Sequence, residues 1–226
     1  MSTMSIKPLC YTFLTLTALI SCKGKHEVAE PIGLHQSYFP LKLNSRITYQ
    51  VDSTVYNDFS NISTLYSFEL KDTAVSAINE FGREGILINR YKRASGQAWA
   101  YQKSFSRALT DQRAEEFIDN VRYVRFTFPP APGKTWNGNT YNNLGEQPYK
   151  FVDVDVSQTI NGIALDSTAS VQEINETNLI REDYSLATYA KNIGLVKREV
   201  RALDKDISSG KIKRGFKYLM QIKSSL

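Results

Sequence analysis

A mainly β fold, an antiparallel sheet curved into a barrel or partial barrel with one short helix, is predicted by two features of this 226-residue chain. Apolar and polar residues alternate with period two over many short segments rich in β-branched and aromatic side chains. Turn-forming Asn, Asp and Gly separate those segments at short, regular intervals. The domain they build spans 38–226, long enough for one hydrophobic core without a second.

The elements follow in order. Arg46 to Tyr56 places Ile47, Tyr49, Val51 and Val55 on alternating positions, and Asn57-Asp58 ends the run in a turn. Thr64 to Leu70 and Gly85 to Tyr91 come next, with Asn79 and Gly82 as turn residues between them, a hairpin-like pairing. Gln97 to Leu109 sets Trp99, Tyr101, Lys103 and Phe105 against Ala98, Ala100, Gln102 and Ser104. Thr110 to Ile118 has the acidic and alanine content of a helix of under three turns, with Thr110 as cap and Ala114, Phe117 and Ile118 near one face. Tertiary packing must hold so short a helix. Val121 to Phe128 is the strongest strand: Val124, Phe126 and Phe128 face the core with Arg122 at the rim, while Val121, Tyr123, Arg125 and Thr127 take the other face. Pro129, Pro130, Pro132 and Gly133 stop it, because proline lacks a ladder donor. Lys134-Thr135-Trp136 is then a short edge or loop strand, and Asn137-Gly138-Asn139 a turn.

The second half repeats the signal. Phe151, Asp153, Asp155 and Ser157 alternate with Val152, Val154 and Val156, which makes the valines an apolar face. Asn161-Gly162 turns the chain into Ile163 to Ile174. Leu179 to Tyr189 and Ile193 to Leu203 are two more strands, and in Gly215 to Ile222 the residues Phe216, Tyr218, Met220 and Ile222 share one face. Nine or ten antiparallel strands account for these spacings.

Ahead of the domain, residues 1–21 have the order of a lipoprotein signal peptide. Lys7 supplies the positive charge, Leu9 to Ile20 is largely apolar, and Leu19-Ile20-Ser21-Cys22 closes the segment. A permanent membrane helix needs about 20 apolar residues, more than this stretch offers. Cys22 is the expected lipid acceptor, and several acyl chains on one cysteine anchor stably at about 0.8 kcal/mol per buried methylene. Cys10 leaves with the signal, so the mature chain has neither a disulfide nor a thiol nucleophile. Residues 22–37 form the lipidated N-terminus and a polar tether broken by Gly24, Pro31 and Gly33. His26 and His35, the two histidines of the chain, lie in that tether without a ligand cluster beside them, and no metal is expected there.

The formal charge is +5, or +4 once Lys7 has left, with both signs well mixed. That modest excess suits a dispersed envelope domain, and the basic stretch Lys211, Lys213, Arg214 and Lys217 is read as a solvated hairpin; no nucleic acid is expected. Without a thiol, a Gly-x-Ser-x-Gly elbow or a histidine outside the tether, nucleophilic catalysis has no base. Asp153, Asp155, Glu173, Glu176, Glu182 and Asp183 supply carboxylates, yet solvent exposure explains Asp153 and Asp155. Asp204-x-Asp206-x-Ser208-x-Gly210 resembles the start of a calcium loop but carries Gly215 where the closing glutamate belongs. Gly133-Lys134-Thr135 lacks the upstream glycine frame of a phosphate loop. No enzymatic activity, cofactor or metal is expected. The aromatic residues Tyr49, Trp99, Tyr101, Tyr123 and Trp136 are the candidate ligand-binding set, broad ring faces able to line a concave sheet or its rim.

Five stretches carry a resemblance: the lipobox with its short tether, Tyr38-Phe39-Pro40-Leu41, Phe128-Pro129, Gly133 to Asn139, and Tyr189 to Glu199. Over nearly the whole mature chain they resemble cell-envelope lipoproteins of the Bacteroidota. The resemblance implies a lipid-anchored place in the envelope and supplies no catalytic residues. In such bacteria an acidic run after the lipidated cysteine resembles a surface-export signal. Lys23-Gly24-Lys25-His26-Glu27 lacks that run, which implies a periplasm-facing outer-membrane position over surface exposure.

Two function classes result. The first is a non-catalytic lipid-anchored envelope protein with a structural or protein-interaction role, its partners the membrane through Cys22 and another envelope protein. The second is a carrier or binding module for an apolar or glycan ligand in a concave, aromatic-lined sheet. The first predicts a filled interior, and the second a cavity of about 300 Å³ or more.

Overall fold

A computed structural model describes residues 35–59, 62–80 and 82–226. Cys22, His26 and the signal segment lie outside the described residues. The one helical element among those described is a single 3-10 turn, Gln36–Tyr38. Twelve strands follow: β1 Arg46–Asn57, β2 Ile62–Glu80, β3 Arg83–Arg93, β4 Ala100–Leu109, β5 Arg113–Ile118, β6 Val121–Thr127, β7 Thr135–Asn137, β8 Pro148–Ile160, β9 Ile163–Thr177, β10 Arg181–Ala190, β11 Gly194–Lys205 and β12 Ile212–Ser225.

The twelve form one antiparallel sheet in the order β6-β5-β4-β3-β2-β1-β12-β11-β10-β9-β8-β7. The chain winds outward from β1 to β6, then from β7 back to β12, and β1 pairs with β12. The sheet nearly closes into a barrel where its two end strands meet. Val124 N–H donates to Gly138 O at 2.8 Å, the Trp136 indole Nε1 donates to Val124 O at 2.9 Å, and Asn142 Nδ2 donates to Arg122 O at 2.8 Å. Gly138 is required at this seam, since a Cβ there would lie 2.4 Å from the Tyr149 ring.

Alternation builds the interior. Ile47, Tyr49 and Val51 of β1 are buried, and their register partners on β12 include Ile222 for Tyr49 and Met220 for Val51, also buried. Phe126 sits among the rings of Tyr38, Phe128, Phe151 and Tyr189, all with centroids within 5.6 Å. Full burial of one such side chain is worth roughly 1.5–3 kcal/mol, so this cluster is a main source of cohesion. The strand directions gather the β1–β2, β3–β4, β9–β10 and β11–β12 turns at one end, called lower here, and the β8–β9 and β10–β11 turns at the upper end. Hydrogen bonds cross part of the upper end, beside a cavity of about 210 Å³ lined in part by Lys42, Ala74, Arg107 and Leu226. Asn161 Nδ2, at the tip of the β8–β9 hairpin, donates to Ile222 O on β12, and Gln36 and Ser37 bond to Thr110 O and Asn192 N.

Several expectations change. Residues 113–118 are strand β5 and not a helix. As a strand they send Glu115 and Glu116 to opposite faces, and each face supplies arginines, so tertiary partners override helical propensity. Twelve strands replace nine or ten, partly through this segment. In β8 the register shifts at Phe151/Asp153 and again at Val154/Val156, with Asp155 at φ 58°. Those bulges break the alternation, so Phe151 is buried while Val152 and Val156 are exposed. In β6 a register shift opposite Ala114/Glu115 leaves Arg125 without a Cα partner, and Arg125 turns into the interior instead of away from the core.

Trp136→Ala removes both a seam hydrogen bond and a ring packed 4.7 Å from Phe151. Its urea midpoint should correspond to a loss of about 3 kcal/mol. An unchanged midpoint would show that the seam does not hold the barrel.

Candidate functional site

A lattice of buried charges crosses the middle of the barrel. Asp72 of β2 is the register partner of Arg90 of β3, and Arg90 Nε and Nη2 each donate to one Asp72 carboxylate oxygen at 2.7 Å. Arg107 of β4 stands opposite Glu116 of β5, with Nε 3.4 Å from Oε2. Glu116 Oε1 also accepts from Arg125 Nε at 3.1 Å. Arg125 then reaches past the seam, its Nη1 donating to Glu173 Oε1 on β9 and to the Tyr149 hydroxyl, both at 3.1 Å. Glu173 completes its shell with Arg198 of β11, at 3.1 and 3.2 Å, and the Ser185 hydroxyl at 2.8 Å.

Electrostatics keep Glu116 and Glu173 ionised. Burial alone would raise the Glu116 carboxyl, but Arg125 and Arg107 pull it down to about 2. Glu173 is likewise lowered, its burial outweighed by Arg198 and Arg125. Burial pushes the Tyr189 hydroxyl up to about 12 and raises Tyr49 and Tyr149 further, so the neighbouring phenols stay neutral. Such a site presents cationic donors and fixed negative charges, with no group poised to release a proton near neutral pH.

Beside the lattice lies a cavity of about 310 Å³. Arg90, Glu116, Arg125 and Arg198 form its polar side. Ile118, Val200, Phe216, Tyr218 and Met220 are among its apolar lining. It has the volume expected of a binding module but not the wholly apolar character. Of these groups only Glu173 is a site candidate in the sequence; Asp72, Glu116 and the four arginines carry no site role there. A signal for two of them exists: Arg90 shares the parity of buried Ile86 and Ile88, and Arg107 that of buried Phe105.

The five aromatic candidates do not converge on one cavity. Tyr49 is fully buried, its hydroxyl donating to Leu195 O at 3.0 Å. Trp99 precedes β4 and is flanked by Lys71 Nζ at 4.5 Å and the Arg93 guanidinium at 4.3 Å. Tyr101 is exposed and meets Tyr91 edge-on at 6.0 Å; Tyr91 in turn lies near Lys71, so Trp99 and Tyr101 share one surface cluster. Tyr123 lies 4.2 Å from the Arg125 guanidinium, next to the lattice, and Trp136 is at the seam.

The other sequence candidates have local partners. Asp155 accepts from the Tyr38 and Ser167 hydroxyls at 2.7 Å and from Lys191, which together hold its carboxyl well below the usual range. Asp204 pairs with Arg181 and Arg214, while Asp206 Oδ1 accepts the Ser208 and Ser209 amides of a turn. Lys134 Nζ donates to the Phe128 and Pro129 carbonyls. Among the described residues no three His, Cys, Asp or Glu side chains are grouped to hold a metal.

The depressed Glu116 value sets a pH dependence. A carboxyl at about 2 when folded and near its ordinary value of 4.5 when unfolded stabilises the fold fully above 4.5. That contribution fades as pH falls toward 2. Urea titrations from pH 7 to pH 2.5 should therefore show falling stability below pH 4.5. Glu116→Gln should cost about 3–5 kcal/mol at pH 7 and flatten the acid limb; an acid limb as steep as the parent's would contradict the assignment.

No family model matches the chain, and no curated protein matches it. Among solved structures it is similar to a Bacteroides fragilis protein described as exported with a YmcC-like fold, at 14% identity and TM-score 0.46, covering 82% of this chain and 98% of that one. It is also similar to a protein described as a lipoprotein from Parabacteroides distasonis, at 9% identity and TM-score 0.43, with the same coverage of 82% and 98%.

Proposed function

We propose that this protein is a non-catalytic, lipid-anchored component of the bacterial cell envelope, held to the membrane through Cys22 with its barrel facing the periplasm. The barrel acts as a rigid body for contact with another envelope protein. The observation that carries the non-catalytic reading is the state of the buried carboxylates. Asp72, Glu116 and Glu173 are each engaged by arginine, an arrangement that locks geometry and leaves none of the three free to act as a base.

The outer wall supports attachment through lipid rather than through the strands. A membrane-spanning barrel faces lipid with an apolar band about 25 Å tall. Here the wall carries the Gln50–Ser67–Asp52 hydrogen-bond chain on β1 and β2, Glu69 between Arg93 and Lys223, and Glu182 between Arg201 and Lys205. A water-facing barrel with that surface requires a separate anchor, and the Leu19-Ile20-Ser21-Cys22 sequence supplies one.

Cys22→Ala should abolish incorporation of a labelled fatty acid in cells and leave the uncleaved precursor. Label retained at the parent level in that variant would refute the anchoring assignment.

A further inference from the structure

We propose that the hollow in the lower half of the barrel binds a single-chain amphiphile with an anionic head, a carboxylate or a phosphate monoester, the head seated on the arginine lattice. The proposal goes beyond the anchoring reading and does not depend on it, since barrel residues alone build the site.

The lattice holds four guanidiniums, Arg90, Arg107, Arg125 and Arg198, against three carboxylates, Asp72, Glu116 and Glu173. One positive charge is in excess where unbalanced charge is costly, and an entering anion would balance it. Three of these arginines line the cavity, and each retains an unused donor. Arg90 Nη1, Arg125 Nη2 and Arg198 Nε make no hydrogen bond among the described residues. Guanidinium N–H groups grip carboxylate and phosphate oxygens in paired fashion, which selects for this head chemistry.

The walls beyond the arginines suit an alkyl chain. Val200, Phe216 and Tyr218 continue the inner face downward, and Phe216 is 39% exposed at the end of the hollow. Ser53, the register partner of both Tyr218 and Tyr66, lines a second hollow of about 620 Å³ together with Tyr66, Phe68 and Lys92. Phe216, partly exposed at the lower end, makes the lower mouth the entrance, with the head deepest and the chain toward Tyr66 and Phe68.

Isothermal titration of the full 226-residue chain with dodecanoate, dodecyl phosphate, dodecanol and inorganic phosphate tests this. Both anionic amphiphiles should bind one per chain, dodecanol at least tenfold more weakly, and inorganic phosphate without saturation. Decanoate should bind about tenfold more weakly than dodecanoate, the effect of two buried methylenes. Val200→Trp, which fills the hollow while keeping every ion pair, should abolish dodecanoate binding. Phe216→Glu, at a partly exposed position, should weaken it at least tenfold and serves if Val200→Trp fails to fold. The proposal is overturned by equal affinity for dodecanol, by saturable binding of inorganic phosphate as tight as dodecyl phosphate, by binding that survives the folded variants, or by no saturable binding of either amphiphile.

Discussion

Four arginines can share the inside of this barrel because Asp72, Glu116 and Glu173 stand between them. Each carboxylate is placed by strand register: Asp72 across from Arg90, Glu116 across from Arg107, Glu173 within reach of β11 and, past the seam, of Arg125 on β6. Breaking one buried pair costs about 3–5 kcal/mol, a large share of the 5–15 kcal/mol that holds a typical domain. The seam itself has little backbone pairing, so Arg125, which ties β6 to β9, helps hold shut the sheet that in turn shields it from water. Closure and charge pairing are one constraint seen from two sides.

Much of the architecture was legible in the alternation. β1 and β6 appear in sequence close to their observed limits because β-branched and aromatic residues repeat there with period two, Asn161-Gly162 marks its hairpin correctly, and β12 is found but extends three residues further at each end. What stayed hidden has a common cause: side chains whose partners are distant in sequence. Glu115 and Glu116 look like the acidic start of a helix until Arg122 and Arg125 arrive from the neighbouring strand. Arg125 looks outward until a bulge turns it, and the β8 valines look buried until two register shifts separate them. The five aromatics looked like a set because ring surfaces suit ligands, yet Tyr49 serves the core and Trp136 the seam.

The interior therefore has three storeys with separate duties. An aromatic cluster around Phe126, covered by the β8–β9 hairpin and residues 36–39, supplies cohesion at the upper end. The charge lattice fixes the strands about one another. Below it the inner face is lined by Val200, Phe216 and Tyr218 beside open space. A polar outer wall fits the anchor proposed at Cys22, and the barrel keeps its chemistry inside.

The most direct measurement is a double-mutant cycle between Arg125→Met and Glu173→Gln, with stability read by urea denaturation at pH 7. These residues lie on β6 and β9, on either side of the seam, and meet only if the sheet closes and the charges pair. A coupling energy of about 2 kcal/mol or more is predicted, in the range of contacting buried partners. Additive effects, with coupling near zero, would contradict both the closure and the lattice.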